Sequence, residues 1–99
     1  MYIESHIRNI LCDRIYERSK ARTRKDGDDI LTVIPKKGGL YYLNATSTWI
    51  YNKVDGKTPT RDIIKTMSEK YNINENGVFY DILKVLEDMK RSGLVKVIK

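Results

Sequence analysis

The apolar positions along the chain change period near Asn44. Before it they come in short clusters with strand character; after it they recur at helical spacing. Ile30-Leu31-Thr32-Val33-Ile34 is rich in β-branched residues and reads as a strand ended by Pro35. Lys36-Lys37-Gly38-Gly39 turns the chain, and Leu40-Tyr41-Tyr42-Leu43 reads as the next strand. An earlier strand is expected from Ile15 to about Arg22, joined to the second through Lys25-Asp26-Gly27-Asp28-Asp29, where Asp-Gly is a hairpin signal. Three consecutive strands with short turns predict an antiparallel meander, with the third strand at its edge.

Beyond Asn44, a good helix N-cap, three helices are expected. The first runs from Ala45 to about Val54, with Trp49 and Ile50 on its apolar stripe and Gly56 as its C-terminal cap. The second opens at Thr58-Pro59 and carries Ile63, Ile64, Met67 and Tyr71 at a 3.6 period. The third runs from Glu75, behind a cap at Asn74, to about Ser92, where Gly93 stops it; Leu94 to Ile98 reads as a short closing strand. The segment from Met1 to Asp13 fits either a short helix, through Ile3, Ile7, Ile10 and Leu11, or a docked arm, and the pattern leaves both open. The expected fold is α+β of the winged helix-turn-helix kind, three antiparallel strands followed by three helices.

The third helix carries more apolar surface than one face needs. Val78, Ile82, Val85 and Met89 form one stripe and Phe79, Leu83 and Leu86 a second beside it. Together they span an arc of roughly 160°, against about 100° for a helix with one buried face. The surplus is either core or one wall of a groove beside the edge strand. An edge strand next to an apolar helix is suited to β-strand addition, in which main-chain bonds dock a peptide and side-chain pockets select it. Lys36 and Lys37 before the strand, and Lys90 and Arg91 at the helix end, are placed to attract an acidic peptide.

Composition narrows the classes. The 99 residues suit one domain, with 40% hydrophobic and 32% charged positions. No apolar run approaches the roughly 18 to 20 residues of a membrane span. The N-terminus lacks the pattern of a signal peptide, and Cys12, alone, forms no internal disulfide, so a cytoplasmic setting is expected. The net charge of +6 favours anionic partners, and Arg14, Arg18, Lys20, Arg22, Arg24 and Lys25 are its one local concentration. That charge admits a winged-helix DNA-binding protein as the alternative. Against it, the third helix holds Glu75, Asp81, Glu87 and Asp88 beside Lys84, Lys90 and Arg91, whereas a major-groove reader should be net basic there. His6 is the one histidine, and there is no CxxC, no His-x-x-x-His and no phosphate-cradling glycine loop. No catalytic residue, metal site or cofactor is therefore expected, and the chain does not read as an enzyme.

The order and spacing of Gly39-Leu40-Tyr41-Tyr42-Leu43-Asn44-Ala45-Thr46, Trp49-Ile50, Val54-Asp55-Gly56, Asp62-Ile63-Ile64, Glu69-Lys70-Tyr71, Asp81-Ile82 and Ser92-Gly93-Leu94 resemble the PqqD family. These are stand-alone recognition elements, or peptide chaperones, for ribosomally made and modified peptides. The resemblance runs from Gly38 to Val95, the first 37 residues matching only in strand pattern; a PqqD-like winged-helix domain is expected over residues 14–99, with 1–13 as an N-terminal arm. The resemblance implies that a leader segment of a precursor peptide lies as an added strand along the third strand and packs on the third helix. Carried onto this chain, the contacts would come from Leu40, Tyr41, Tyr42 and Leu43, and from Val78, Asp81, Ile82, Val85 and Leu86; Lys36, Lys37 and Arg91, named from their position alone, are expected to aid electrostatically. The implied partners are the precursor peptide and a separate maturation enzyme, such as a radical SAM enzyme or a lasso-peptide leader protease and cyclase; neither nucleic acid nor membrane is implied. Exposed strand edges also leave a homodimer open.

Overall fold

Side-chain caps and glycine turns set most of the element ends. The computed structural model describes residues 5–25 and 30–99. Within the first 13 residues the chain forms a helix, α1 (Ser5–Cys12), which turns Cys12 and Leu11 toward the core. Ile7 and Ile10 stay about half exposed, at 48% and 52%. The Arg8 guanidinium sits 4.5 Å from the centre of the Phe79 ring, where cation–π attraction helps hold the helix down.

The strand expected from Ile15 to Arg22 is two strands. β1 (Ile15–Arg18) and β2 (Ala21–Lys25) part at Ser19-Lys20 and enter different sheets. β2, β3 (Leu31–Pro35) and β4 (Tyr41–Leu43) form the expected antiparallel meander, with Thr23 opposite Val33 and Val33 opposite Tyr41. The Asp26-Gly27 turn expected between β2 and β3 lies outside the described residues.

β1 instead lies at the centre of a second antiparallel sheet, between β5 (Asp55–Pro59) and β6 (Val95–Val97). The closing strand is thus present. β5 corrects the reading of Asp55 to Pro59. Gly56 does not cap the preceding helix, α2 (Ala45–Lys53), which ends at an extended Val54; it sits inside β5 at φ +78°. Nor does Thr58 cap α3 (Thr60–Tyr71): its hydroxyl donates to Asp55 Oδ2 at 2.9 Å, and Pro59 stands at the cap position without a side-chain bond. Pairing with β1 prevails over the local signal, because Thr60 N–H and Thr60 Oγ1 both donate to the Arg14 carbonyl at 2.9 Å.

The two asparagine caps are in place. Asn44 Oδ1 accepts the Ser47 N–H, and Asn74 Oδ1 accepts the Asn76 N–H at the start of α4 (Glu75–Arg91), each at 2.8 Å. α4 ends in a Schellman motif: Gly93 at φ +78° donates to Lys90 O and Leu94 to Met89 O. The core joins Tyr16, Val33, Ile50, Ile63, Phe79, Ile82 and Leu86, all at most 2% exposed, so α4 is packed against both sheets and the other helices. The architecture is the α+β, winged-helix-like one expected, with a second small sheet and an added N-terminal helix.

Candidate functional site

β4 begins from a turn that only glycine accepts comfortably. Gly38 and Gly39 hold φ of +110° and +92°, and Gly38 N–H donates to Pro35 O at 3.0 Å. A Cβ on Gly39 would lie 3.0 Å from Tyr41 Cε2, so the Tyr41 ring folds back over the turn. From there the strand alternates. Tyr41 and Leu43 lean on the core, Leu43 being 7% exposed, while Tyr42 points outward at 69%. Leu40, just before the strand, is about half exposed.

Among the described residues β4 pairs with β3 alone, so the main-chain groups of its other side have no strand partner. The opposite edge of the same sheet, β2, differs in character. It presents Arg22, Arg24 and Lys25, the kind of charge that discourages another strand from pairing. One edge is guarded and the other is apolar and short.

Beside the β4 edge is an open cleft of about 160 Å³. Leu43 and Ser47 line one side; Val85, Asp88 and Met89 of α4, with Ser92 and Leu94 just past its end, line the other. Val85, Asp88 and Ser92 stand three and four positions apart, on one row of the helix, and Asp81 extends that row by a turn toward its N-terminus. The sequence places the row on the helix. Ser47, Asp88, Met89 and Ser92 are not among the residues expected from the sequence: three of them are polar, and Met89 lies on the stripe that periodicity leaves open between core and groove; the i+3, i+4 and i+7 spacing from Val85 is the signal that finds Asp88, Met89 and Ser92.

The burial of α4 brings a correction. Val78, Ile82 and Leu86, expected to meet a peptide, are 2%, 0% and 0% exposed and pack in the core. Most of the apolar surplus on this helix is therefore inside the domain. Val85 is the apolar member of the row that faces the cleft, partly buried, with Asp81 exposed one turn away.

The basic residues expected to attract a peptide differ in their neighbours. Arg91 Nη2 lies 3.3 Å from Asp88 Oδ1, and Lys90 Nζ 3.2 Å from Glu87 Oε2, so the cations at the helix end already have acidic neighbours. Lys36 and Lys37 stand exposed on the turn before β4, and among the described residues neither is in an ion pair. His6 is exposed on α1 and Cys12 is buried, far apart in role from the cleft. Among the described residues no three of His, Cys, Asp and Glu are grouped as metal ligands would be, and no helix is long and apolar enough to cross a membrane.

A solved structure, TbiB1 in complex with the TbiA(β) leader peptide, is similar in fold. It superposes with a TM-score of 0.72 at 16% identity, covering 81% of this chain and 94% of that one. No curated protein sequence matches. The family model for coenzyme PQQ synthesis protein D (PqqD) matches residues 29–95, the span that runs from before β3 through α4 into β6. With that match over more than half of its length, the chain belongs to the PqqD family.

Proposed function

We propose that this protein recognises the leader segment of a ribosomally made precursor peptide and presents it to a separate modifying enzyme. The peptide adds to the meander as a strand on β4, through the main chain of Leu40, Tyr41, Tyr42 and Leu43. Its side chains alternate between the cleft and solvent, one apolar group resting on Val85 and Leu43. Asp81, Asp88 and Ser92 give the α4 wall its polar contacts. Val78, Ile82 and Leu86 act from behind, as the packing that fixes α4 beside the strand. The observation that carries this reading is the juxtaposition of an unpaired, apolar sheet edge with an open cleft on α4, in a PqqD-family fold that resembles a structure holding a leader peptide.

The protein itself is non-catalytic in this reading. It hands the precursor to a maturation enzyme, such as a radical SAM enzyme or a leader protease and cyclase, in the cytoplasm. Self-association through β4 is the competing use of the same edge and would block the peptide. A DNA-binding role is disfavoured by the four carboxylates against three cations on α4.

The test is titration of the ¹⁵N-labelled protein with synthetic leader peptides of candidate precursors. Shifts should concentrate on the amides of Leu40 to Leu43 and on the Asp81 to Ser92 row. Saturating binding that leaves both unmoved sinks the reading.

A further inference from the structure

At the far end of β4 from Asn44, lysines from three parts of the chain converge. Lys20 comes from the break between β1 and β2, Lys36 and Lys37 from the β3–β4 turn, and Lys96 from β6. They line one cleft of about 260 Å³, with Pro35 and Gly93 between them. A second cleft of about 450 Å³ shares Lys20, Pro35 and Lys36 and adds Arg22, so the two form a continuous basic surface over the corner where the sheets meet. The Lys36 N–H donates to the Lys20 carbonyl at 3.0 Å, which fixes the two backbones together. Among the described residues the one carboxylate paired there is Glu17, 3.5 Å from Lys96 Nζ. Like charges gathered this closely cost free energy unless an anion offsets them.

The corner adjoins the α4 cleft. Ser92 and Leu94 line that cleft and Gly93, between them, lines the basic one, so a single turn separates the two. A strand added to β4 and continued past Tyr41 runs toward Lys37 and Lys36. We infer that this corner binds an acidic stretch of the same precursor peptide, rich in Asp or Glu, adjoining the part that adds to β4. The inference rests on the leader-recognition reading for the identity of the peptide; the binding of carboxylates at the corner does not. Peptide carboxylates fit better than a nucleic-acid backbone because the corner is a bounded pair of clefts next to an unpaired strand edge, whereas α4 carries more carboxylates than cations.

The experiment uses N-acetyl hexaglutamate amide as the probe against the ¹⁵N-labelled full chain. Saturable shifts are expected at Lys20, Lys36, Lys37, Gly93 and Lys96, fading as salt is raised. The double variant Lys36→Glu, Lys37→Glu, on an exposed turn, should weaken binding by about tenfold or more, and Lys65→Glu, exposed on α3 and outside both clefts, should leave it nearly unchanged. Shifts spread evenly over the surface lysines without saturation overturn the inference. So does a single-stranded hexathymidylate that binds the same residues more tightly than the peptide. Candidate leader peptides that shift Leu40 to Leu43 while hexaglutamate leaves the corner unmoved refute this inference alone. Hexaglutamate at the corner, with no leader peptide ever reaching β4, would refute the leader reading and, with it, the assignment of the acidic stretch to a precursor.

Discussion

Arg14 Nη1 donates to Glu87 Oε1 at 3.1 Å, joining the residue before β1 to the last turns of α4 across 73 positions of sequence. Both side chains are about 30% exposed, and Glu87 also holds Lys90. The pair fixes α4 against the β1 sheet from the side away from the cleft. Arg14→Ala and Glu87→Ala should each lower stability by about 1 kcal/mol, with a coupling of about 0.5–1 kcal/mol in a double-mutant cycle. Urea unfolding measures this. A coupling of zero would mean the contact is solvated and carries nothing.

Gly56 is needed in β5 for two separate reasons. Its φ of +78° is a conformation other residues adopt at a cost, and a Cβ there would lie 3.2 Å from Glu17 Oε1. Gly56→Ala should therefore destabilise by about 1–2 kcal/mol. Adding Glu17→Ala should relieve the crowding and leave the backbone strain, restoring part of the loss. Full restoration would show that the positive φ costs nothing here.

That position also shows where sequence patterns stop being informative. Val54-Asp55-Gly56 and Thr58-Pro59 have the local chemistry of a helix end and a helix start, yet Asp55 to Pro59 is a strand. The deciding partners are Ile15 and Glu17, some forty positions away, and no local pattern encodes them. The same distance effect splits the first strand at Ser19-Lys20, since β6, at the other end of the chain, claims β1. By contrast β3, β4, α2 and α4 were legible, because their ends rest on Asn44, Asn74, Pro35 and Gly93, which act on near neighbours. The cleft was legible in part. Periodicity put Val78, Ile82, Val85 and Leu86 on one helix; it could not say which of them faces the other helices and which faces the β4 edge.

The Asp55 carboxylate accepts the N–H groups of Lys57 and Thr58 at 2.9 and 2.8 Å, and the Thr58 hydroxyl. These bonds favour the charged form and hold its pKa below the ordinary carboxylate value, the Lys57 bond foremost. A depressed folded pKa means that the unfolded chain takes up the proton first as pH falls. The stability from this turn is therefore present above the unfolded value and is lost as pH drops through the folded one. Tyr51 acts at the other extreme: burial raises its pKa, partly offset by Arg18, so the unfolded chain ionises first. Stability present below the ordinary tyrosine value should be lost as pH rises through the folded one. Unfolding free energy against pH should fall at both ends, and Asp55→Ala should flatten the acid limb selectively.

The cleft separates residues that touch a peptide from residues that place those that do. Val85 is partly buried beside Leu43 and lines the open cleft; Ile82, one turn-step earlier on the helix, is fully buried. Val85→Asp should keep the fold, since the new carboxylate can turn to water in the open cleft. It should weaken leader binding by about 1–3 kcal/mol, because a docked peptide would bury that carboxylate without a partner. Ile82→Ala should instead cost about 2–5 kcal/mol of stability through the lost apolar contacts and the cavity left behind. At temperatures where it remains folded, its leader affinity should fall only as far as α4 shifts. Circular dichroism melts and peptide titrations on the two variants give opposite orders of effect. If Ile82→Ala abolishes binding in a fully folded protein while Val85→Asp binds as the parent does, the peptide does not use the β4–α4 cleft.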